Sequence, residues 1–175
     1  MKLNTIISVS VGTMILLGTL VGCNKTPNTT GPLVPMTTES VKAHLDENFI
    51  VNDCGKLTHA KYVIPTRAWV TDKLVPYWFE YRKRNNLQYD VNTTSCEAFS
   101  FQCHFASQEI EKVNITVGVF FYMPDNKVGS GIGHAINVIL INEDDKIKAV
   151  FFEPQTSKFV NLSKSELASC SFWYF

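Results

Sequence analysis

Three residues of this chain could together perform nucleophilic chemistry: Cys96, His134 and Glu153. Cys96 lies where a helix is predicted to begin, His134 opens a predicted strand, and Glu153 closes the next strand. A thiol becomes a strong nucleophile when an imidazole takes its proton, and a polar residue can orient that imidazole. The sequence therefore predicts a thiol site for attack on an amide or ester carbonyl. Cys96 would be the nucleophile, His134 the general base and acid, and Glu153 or Gln155 the orienting residue.

The position of Cys96 favours its thiolate form. The segment Thr94-Ser95-Cys96-Glu97 matches a capping box at a helix start. Unpaired N–H groups and the positive end of the helix dipole lie in this first turn, so the pKa of Cys96 should fall. Its own N–H is a natural oxyanion donor, and Gln88 and Asn92 are candidates for a second donor. Cys103 lies in mid-helix without that help. The alternative is that Cys96 is a buried small residue or half of a disulfide.

A predicted hairpin brings an acceptor to His134. The glycine-rich segment 129–133 leads into His134, and the polar segment 142–146 reads as a turn between two apolar strands. If the turn is centred near 144 and 145, His134 lies beside Gln155 and Ile136 lies beside Glu153. Diagonal neighbours are roughly 7 Å apart at Cα, which is within side-chain reach. Either Glu153 or Gln155 could then accept the imidazole N–H, and a change of register would turn both away.

The remaining patterns predict helices before strands. Helices are expected over 37–48, 67–85 and 94–113; Thr66 could cap the second of them, which Pro76 must kink or divide. The predicted fold class is α+β, with helices packed on an antiparallel β-sheet. The predicted strands, rich in β-branched and aromatic residues, are 115–123, 134–141, 147–153 and 172–175.

The N-terminal residues resemble an export signal. Residues 1–22 are predicted to be a lipoprotein signal peptide, because an apolar stretch ends in a lipobox-like segment before Cys23, the predicted lipidation site. A plain secretory signal or an uncleaved anchor is the alternative. Residues 23–36 are predicted to be a flexible tether, and residues 37–175 a single domain. The expected location is the bacterial cell envelope, with a lipid anchor in the membrane, in the outer membrane if the cell is Gram-negative.

Four short pieces between Tyr62 and Gln155 resemble the papain-like or transglutaminase-like cysteine-peptidase superfamily, especially its small bacterial and phage-type members. Those members carry a tyrosine before a helix that begins around a cysteine, and a later Gly-His-Ala strand followed by Glu-Pro-Gln. The resemblance implies a papain-like core with Cys96, His134 and Glu153 in the roles given above, and Gln155 as a substitute for Glu153. The matching pieces are Leu87-Gln88-Tyr89, Ser95-Cys96-Glu97-Ala98-Phe99-Ser100, Gly133-His134-Ala135-Ile136-Asn137-Val138 and Phe152-Glu153-Pro154-Gln155.

The cysteine count limits the thiol hypothesis. Besides Cys23, the chain has four cysteines, in a predicted compartment that permits disulfides. Cys96 and Cys103 are too far apart along one helix to pair with each other. Two disulfides would therefore consume Cys96. A thiol site requires at most one bridge, and the predicted pair is Cys54 with Cys170.

Composition argues against two other classes. The chain has 16 basic and 16 acidic residues and lacks a recognisable reader motif, so no nucleic-acid partner is expected. The four histidines are scattered without the close spacing typical of metal ligands, so neither a metal nor another cofactor is predicted. The sequence leaves the oligomeric state open.

Two functions are compatible with these patterns. The first is a membrane-anchored envelope lipoprotein with a thiol hydrolase or acyl-transferase site for peptide or amide bonds, acting on an envelope peptide or protein. The second is a non-catalytic envelope lipoprotein that uses the same fold to bind a protein or glycan through its aromatic side chains. Fast alkylation of Cys96 that depends on His134 would favour the first function.

Overall fold

The computed structural model describes residues 33–48, 55–90, 94–127, 129 and 131–175. The predicted signal peptide, Cys23 and most of the predicted tether lie outside these ranges and stay predictions. None of the described helices combines the length and apolar character that a bilayer crossing requires. The strands are β1 (Val34–Thr37), β2 (Gly55–Lys56), β3 (Lys61–Ile64), β4 (Val117–Tyr122), β5 (His134–Glu143), β6 (Lys146–Glu153), β7 (Lys158–Val160) and β8 (Phe172–Tyr174). The α-helices are α1 (Thr38–Asn48), α2 (Arg67–Trp69), α3 (Val75–Arg84), α4 (Cys96–Glu111) and α5 (Lys164–Ala168).

Six strands form the larger sheet, in the order β2-β8-β4-β5-β6-β7. In the β5–β6 pair, Asn137 lies opposite Phe152, which is the register that the sequence predicts. Asp144 and Asp145 in the connecting turn have φ values of 54° and 58°. Two successive positive φ values are typical of the tight turn whose twist matches the flanking strands. The predicted hairpin is therefore confirmed.

Both faces of this sheet are covered. Ile136, Val138 and Leu140 of β5 enter a core with α1 and β3, whereas Ile139 and Ile141 enter a second core with α2, α3 and α4. Burial on both faces explains why β5 is a continuous apolar run instead of an alternating one. The second core holds the helix that carries Cys96.

The predicted antiparallel arrangement needs two corrections. The edge strand β2 pairs with β8 in parallel, so the sheet is not antiparallel throughout. In addition, β1 and β3 form a separate two-stranded sheet. Residues 34–36 of the predicted tether belong to β1, because Val34 and Met36 pair with Ile64 and Tyr62 and pack against the first core.

The helix predicted over 67–85 contains an unpredicted wide turn. Thr66 is its N-cap, as expected, and Thr66 Oγ1 accepts a hydrogen bond from the Trp69 N–H at 3.2 Å. The segment Val70–Leu74 is π-helical. Pro76 lies in the first turn of α3, where its missing N–H costs least. The helix therefore changes its hydrogen-bond pattern before the proline instead of ending there.

Candidate functional site

Cys96 is the first residue of α4, and Ser95 is the cap of this helix. Ser95 Oγ accepts a hydrogen bond from the Ala98 N–H at 3.4 Å. The sequence placed this cap at Thr94, so the prediction was wrong by one residue. Cys96 nevertheless lies in the first turn, where main-chain N–H groups have no partner within the helix.

A buried asparagine of β5 fixes α4 against the sheet. Asn137 Nδ2 donates to the main-chain oxygens of Ser100, at 2.9 Å, and Gly118, at 3.0 Å. Asn137 and Ser100 are both fully buried; the two bonds pair the amide nitrogen of Asn137, whereas Asn137 Oδ1 and Ser100 Oγ have no hydrogen-bond partner among the described residues. Because Ser100 follows Cys96 by about one helical turn, this contact sets the position of Cys96 relative to the start of β5.

The structure brings Cys96, His134 and Glu153 together. His134 Nε2 donates to Glu153 Oε2 at 2.6 Å, and the Cys96 thiol lies close enough to the His134 ring for each to shift the pKa of the other. The interaction with His134 is the main cause that lowers the pKa of Cys96; partial burial opposes it, and the main chain of Ala135 supports it. The interaction with Cys96, followed by the bond to Glu153, raises the pKa of His134 to about 9. These directions favour a thiolate–imidazolium pair.

Gln155 acts through its main chain. Its N–H donates to Glu153 Oε1 at 3.0 Å, so both oxygens of Glu153 have partners. The Gln155 Nε2 atom is buried and has no hydrogen-bond partner among the described residues. Glu153 is thus the residue that receives the imidazole N–H, and Gln155 orients Glu153.

A cleft of about 660 Å³ lies beside Cys96 and His134. Gln88, a candidate oxyanion donor, lines a different pocket, and Asn92 lies outside the described residues. Burial raises the pKa of Tyr122 to about 12, so its hydroxyl remains a donor in this cleft. The lining residues are Tyr89, Cys96, Tyr122, Pro124, Asp125, Asn126, Lys127, Ile132, Gly133, His134 and Glu166.

Hydrogen bonds hold the acidic wall of the cleft in place. The Asp125 carboxylate accepts from the hydroxyls of Ser165 and Ser163, each at 2.7 Å, and these bonds lower its pKa. Ser163 also caps α5, and its N–H donates to Glu166 at 2.9 Å in a capping box. Carboxylate oxygens can each accept more than one hydrogen bond. This wall can therefore accept hydrogen bonds from a ligand without rearranging.

Sequence reasoning missed several of these groups. The wall residues were not predicted, although the spacing of Ser163 and Glu166 is a readable capping-box signal. The effect of Ala135 on the pKa of Cys96 has no sequence signal of its own, because it comes from the main chain and not from the side chain. It depends on where α4 meets the start of β5.

The other cysteines differ from Cys96. Cys96 and Cys103 are both unbridged thiols, and burial raises the pKa of Cys103 far above its ordinary value. Cys170 Sγ lies 3.7 Å from the Phe172 main-chain oxygen. Cys54 lies outside the described residues, so its pairing with Cys170 stays a prediction.

The family of the chain is shown by a model described as the ricin-type beta-trefoil lectin C-terminal domain, which matches residues 35–168. The match covers most of the chain, and the chain therefore belongs to this family.

Two solved structures are similar in fold. One is described as the PSL1a-E64 complex, with a TM-score of 0.60, 18% identity, and coverage of 81% of this chain and 50% of that chain. The other is a Polyporus squamosus lectin bound to the human-type influenza-binding epitope Neu5Aca2-6Galb1-4GlcNAc, with a TM-score of 0.57, 18% identity, and coverage of 81% and 49%. The chain thus spans about half the length of these proteins. No curated protein is significantly similar to it in sequence.

These findings correct the predicted family and fold assignment. Membership of the papain-like or transglutaminase-like superfamily is wrong, because the matching family is that of the lectin C-terminal domain and a solved neighbour is a lectin. The assignment of the α+β fold to a papain-like core is therefore wrong as well. The resemblance depended on four short pieces, whereas the family match extends over residues 35–168.

The main functional prediction is corrected as well. The lectin comparisons do not support a hydrolase or cysteine protease acting on peptide or amide bonds, and they give no support to a lipoprotein. They agree better with the alternative, non-catalytic binding of a glycan. The roles predicted for Cys96, His134, Glu153 and Gln155 are not tested by these comparisons.

Proposed function

We propose that this domain binds a carbohydrate in the cleft beside Cys96 and His134. The observation that carries the proposal is the combination of lectin-family membership with an open cleft of about 660 Å³. The Polyporus squamosus lectin is described with a bound sialylated trisaccharide. We extend glycan binding from that lectin to this chain.

The chemistry of the cleft supports a sugar as ligand. Sugars present both apolar C–H faces and hydroxyl groups, so their sites combine aromatic surfaces with convergent polar groups. Tyr89 is 51% exposed and offers a ring at the edge of the cleft. Asp125 and Glu166 supply fixed acceptors for hydroxyl groups, and Tyr122 supplies a donor.

Substitution of Tyr89 tests the proposed glycan site. The full-length protein and Tyr89→Ala would be screened on a glycan array that includes Neu5Aca2-6Galb1-4GlcNAc, and the best ligand would be titrated by calorimetry. Tyr89→Ala should weaken binding by about tenfold, because an aromatic contact at a binding hot spot is worth more than about 1 kcal/mol.

Phe79→Ala is the matched control, since Phe79 is 58% exposed but lines a different pocket. It should bind like the wild type. A wild-type protein that binds no glycan on the array would contradict the proposal, as would Tyr89→Ala binding with unchanged affinity.

We also propose that Cys96 is a reactive thiolate in this cleft. In this arrangement Cys96 is the nucleophile, His134 accepts the proton of its thiol, and Glu153 orients His134. The specific observation in favour is the 2.6 Å bond between His134 and Glu153 together with the His134–Cys96 contact. The proposal concerns the reactivity of the site and names no substrate.

Alkylation of Cys96 as a function of pH tests this second proposal. Iodoacetamide labelling, read out by mass spectrometry of the Cys96 peptide, should have a midpoint below about 8.5, the ordinary value for a thiol. His134→Gln should move that midpoint upward.

Cys103 is an internal control for the labelling experiment. It is fully buried, so it should stay unlabelled in the folded protein at every pH tested. If Cys96 labels with the midpoint of an ordinary thiol and His134→Gln has no effect, the thiolate proposal fails. The envelope location and the Cys23 lipid anchor remain predictions from residues 1–23.

A further inference from the structure

We infer that Arg82 and Trp78 of α3 are positioning residues for Glu153, an inference that rests on the thiolate proposed above. Three hydrogen bonds converge on two main-chain oxygens just beyond β6. Trp78 Nε1 donates to Pro154 O at 2.8 Å. Arg82 Nη1 donates to Gln155 O at 2.7 Å and to Pro154 O at 3.2 Å.

These bonds hold the segment that orients the carboxylate. The Gln155 N–H donates to Glu153 Oε1 at 3.0 Å, and Glu153 Oε2 accepts from His134 Nε2 at 2.6 Å. A shift of the Pro154–Gln155 main chain would move the N–H that fixes Glu153. The chain of contacts therefore runs from α3 through main-chain atoms to the carboxylate and then to the imidazole.

The same two side chains also contact the helix that carries Cys96. The Arg82 guanidinium carbon lies 5.1 Å from the centre of the Phe99 ring, and the Trp78 and Phe99 rings meet edge to face at 6.2 Å. Phe99 is three residues after Cys96, about one turn along α4. Trp78 and Arg82 thus contact both the start of α4, which carries Cys96, and the segment that follows β6.

This arrangement provides more than packing. Trp78 is fully buried, and its ring alone would fill the core, yet its N–H is directed at Pro154 O. Arg82 Nη1, which carries two N–H groups, donates to both successive carbonyls. Because Pro154 and Gln155 follow the last residue of β6, the strand ladder does not hold their oxygens.

The test is a pH profile of Cys96 alkylation by iodoacetamide in full-length variants. Arg82→Met keeps most of the stem volume but removes the donors, and Trp78→Phe keeps an aromatic ring but removes the N–H. Each should raise the labelling midpoint by about one pH unit, the scale of a lost charge or hydrogen-bond partner. Arg82→Lys, which retains one cationic donor, should restore part of the shift.

The Glu153→Gln background separates positioning from general loosening. If Arg82 acts through Glu153, Arg82→Met should add little or no shift to Glu153→Gln, because the two changes then share one effect. An equal shift in both backgrounds, or an unchanged midpoint in folded Arg82→Met and Trp78→Phe, would overturn the inference. If Arg82→Met does not fold, Trp78→Phe in the two backgrounds decides. A wild-type midpoint near 8.5 would instead mean that the proposed thiolate itself is wrong.

Discussion

In the proposed thiolate site, the protonation state of His134 determines how far the Cys96 thiol is ionised. A protonated ring stabilises the thiolate, and the thiolate in turn stabilises the protonated ring. The contact with Cys96 is the largest cause of the raised pKa of His134, and the contact with Glu153 is the next. Removal of the Cys96 thiol and removal of the Glu153 carboxylate should therefore lower the pKa of His134 to different degrees.

NMR titration of the His134 ring tests this order. The wild-type midpoint should lie near pH 9, and Cys96→Ala should lower it further toward the ordinary value of about 6.5 than Glu153→Gln does. Assignment follows from the signal that is lost in His134→Gln. A wild-type midpoint near 6.5, or a larger effect of Glu153→Gln, would contradict the proposed charge state.

The raised pKa also has a consequence for stability. A group whose pKa is higher in the folded state stabilises the fold fully below its unfolded pKa, here about 6.5. That contribution is lost as the pH rises through about 9. The difference in free energy of unfolding between the wild type and His134→Gln should therefore shrink over this range.

Most residues of the candidate site could be predicted from the sequence, whereas the residues that hold them in position could not. Cys96, His134 and Glu153 could be selected because a helix cap and a hairpin register are local properties. Trp78 and Arg82 were predicted only as helix residues, since nothing in their spacing indicates that they reach Pro154 O. Such contacts depend on how α3 packs against the end of β6.

At the scale of elements, Gly118 of β4 shows how closely Tyr174 of β8 and the following Phe175 approach this strand. A Cβ atom added at Gly118 would lie 2.7 Å from both a Phe175 ring atom and the Tyr174 main-chain oxygen. A main-chain oxygen in a paired strand cannot move aside easily. Glycine is thus required at position 118 by the close approach of another segment.

Gly118→Ala should lower the free energy of unfolding by about 1–3 kcal/mol, the usual cost of overpacking a buried site. Thermal and urea unfolding would measure it. Gly133→Ala is the control, because its Cβ would meet only the Tyr122 main-chain oxygen at 3.5 Å, an ordinary contact. Equal stability of Gly118→Ala and wild type would show that β8 is not packed this closely.

Local sequence patterns predicted the helices and strands better than they predicted which strands pair with each other. The β5–β6 register followed from an adjacent turn, and Thr66 was a correct cap. Pro76 was expected to disturb its helix, but the π-helical turn before it could not be predicted from propensity. The parallel β2–β8 pair joins Gly55 to Trp173, so no local signal could reveal it.

For the whole molecule, the family assignment changes how the site is interpreted. The chain belongs to the ricin-type beta-trefoil lectin C-terminal domain family and spans about half the length of the solved proteins that it resembles. Short motifs around Cys96 and His134 indicated a different family, because a few residues of similar chemistry recur in unrelated families. The family match extends over residues 35–168 and does not depend on those short motifs.

The proposed glycan-contact surface and the proposed thiolate lie in one cleft, which Tyr89 and Cys96 both line. The most direct test is the rate of Cys96 alkylation with and without a saturating concentration of the best glycan from the array. We predict that the bound glycan slows alkylation of Cys96 in the wild type by at least about tenfold, and that Tyr89→Ala needs about tenfold more glycan for the same protection. An unchanged rate of Cys96 alkylation with the glycan fully bound would contradict a shared cleft, because the glycan would then occupy another part of the surface.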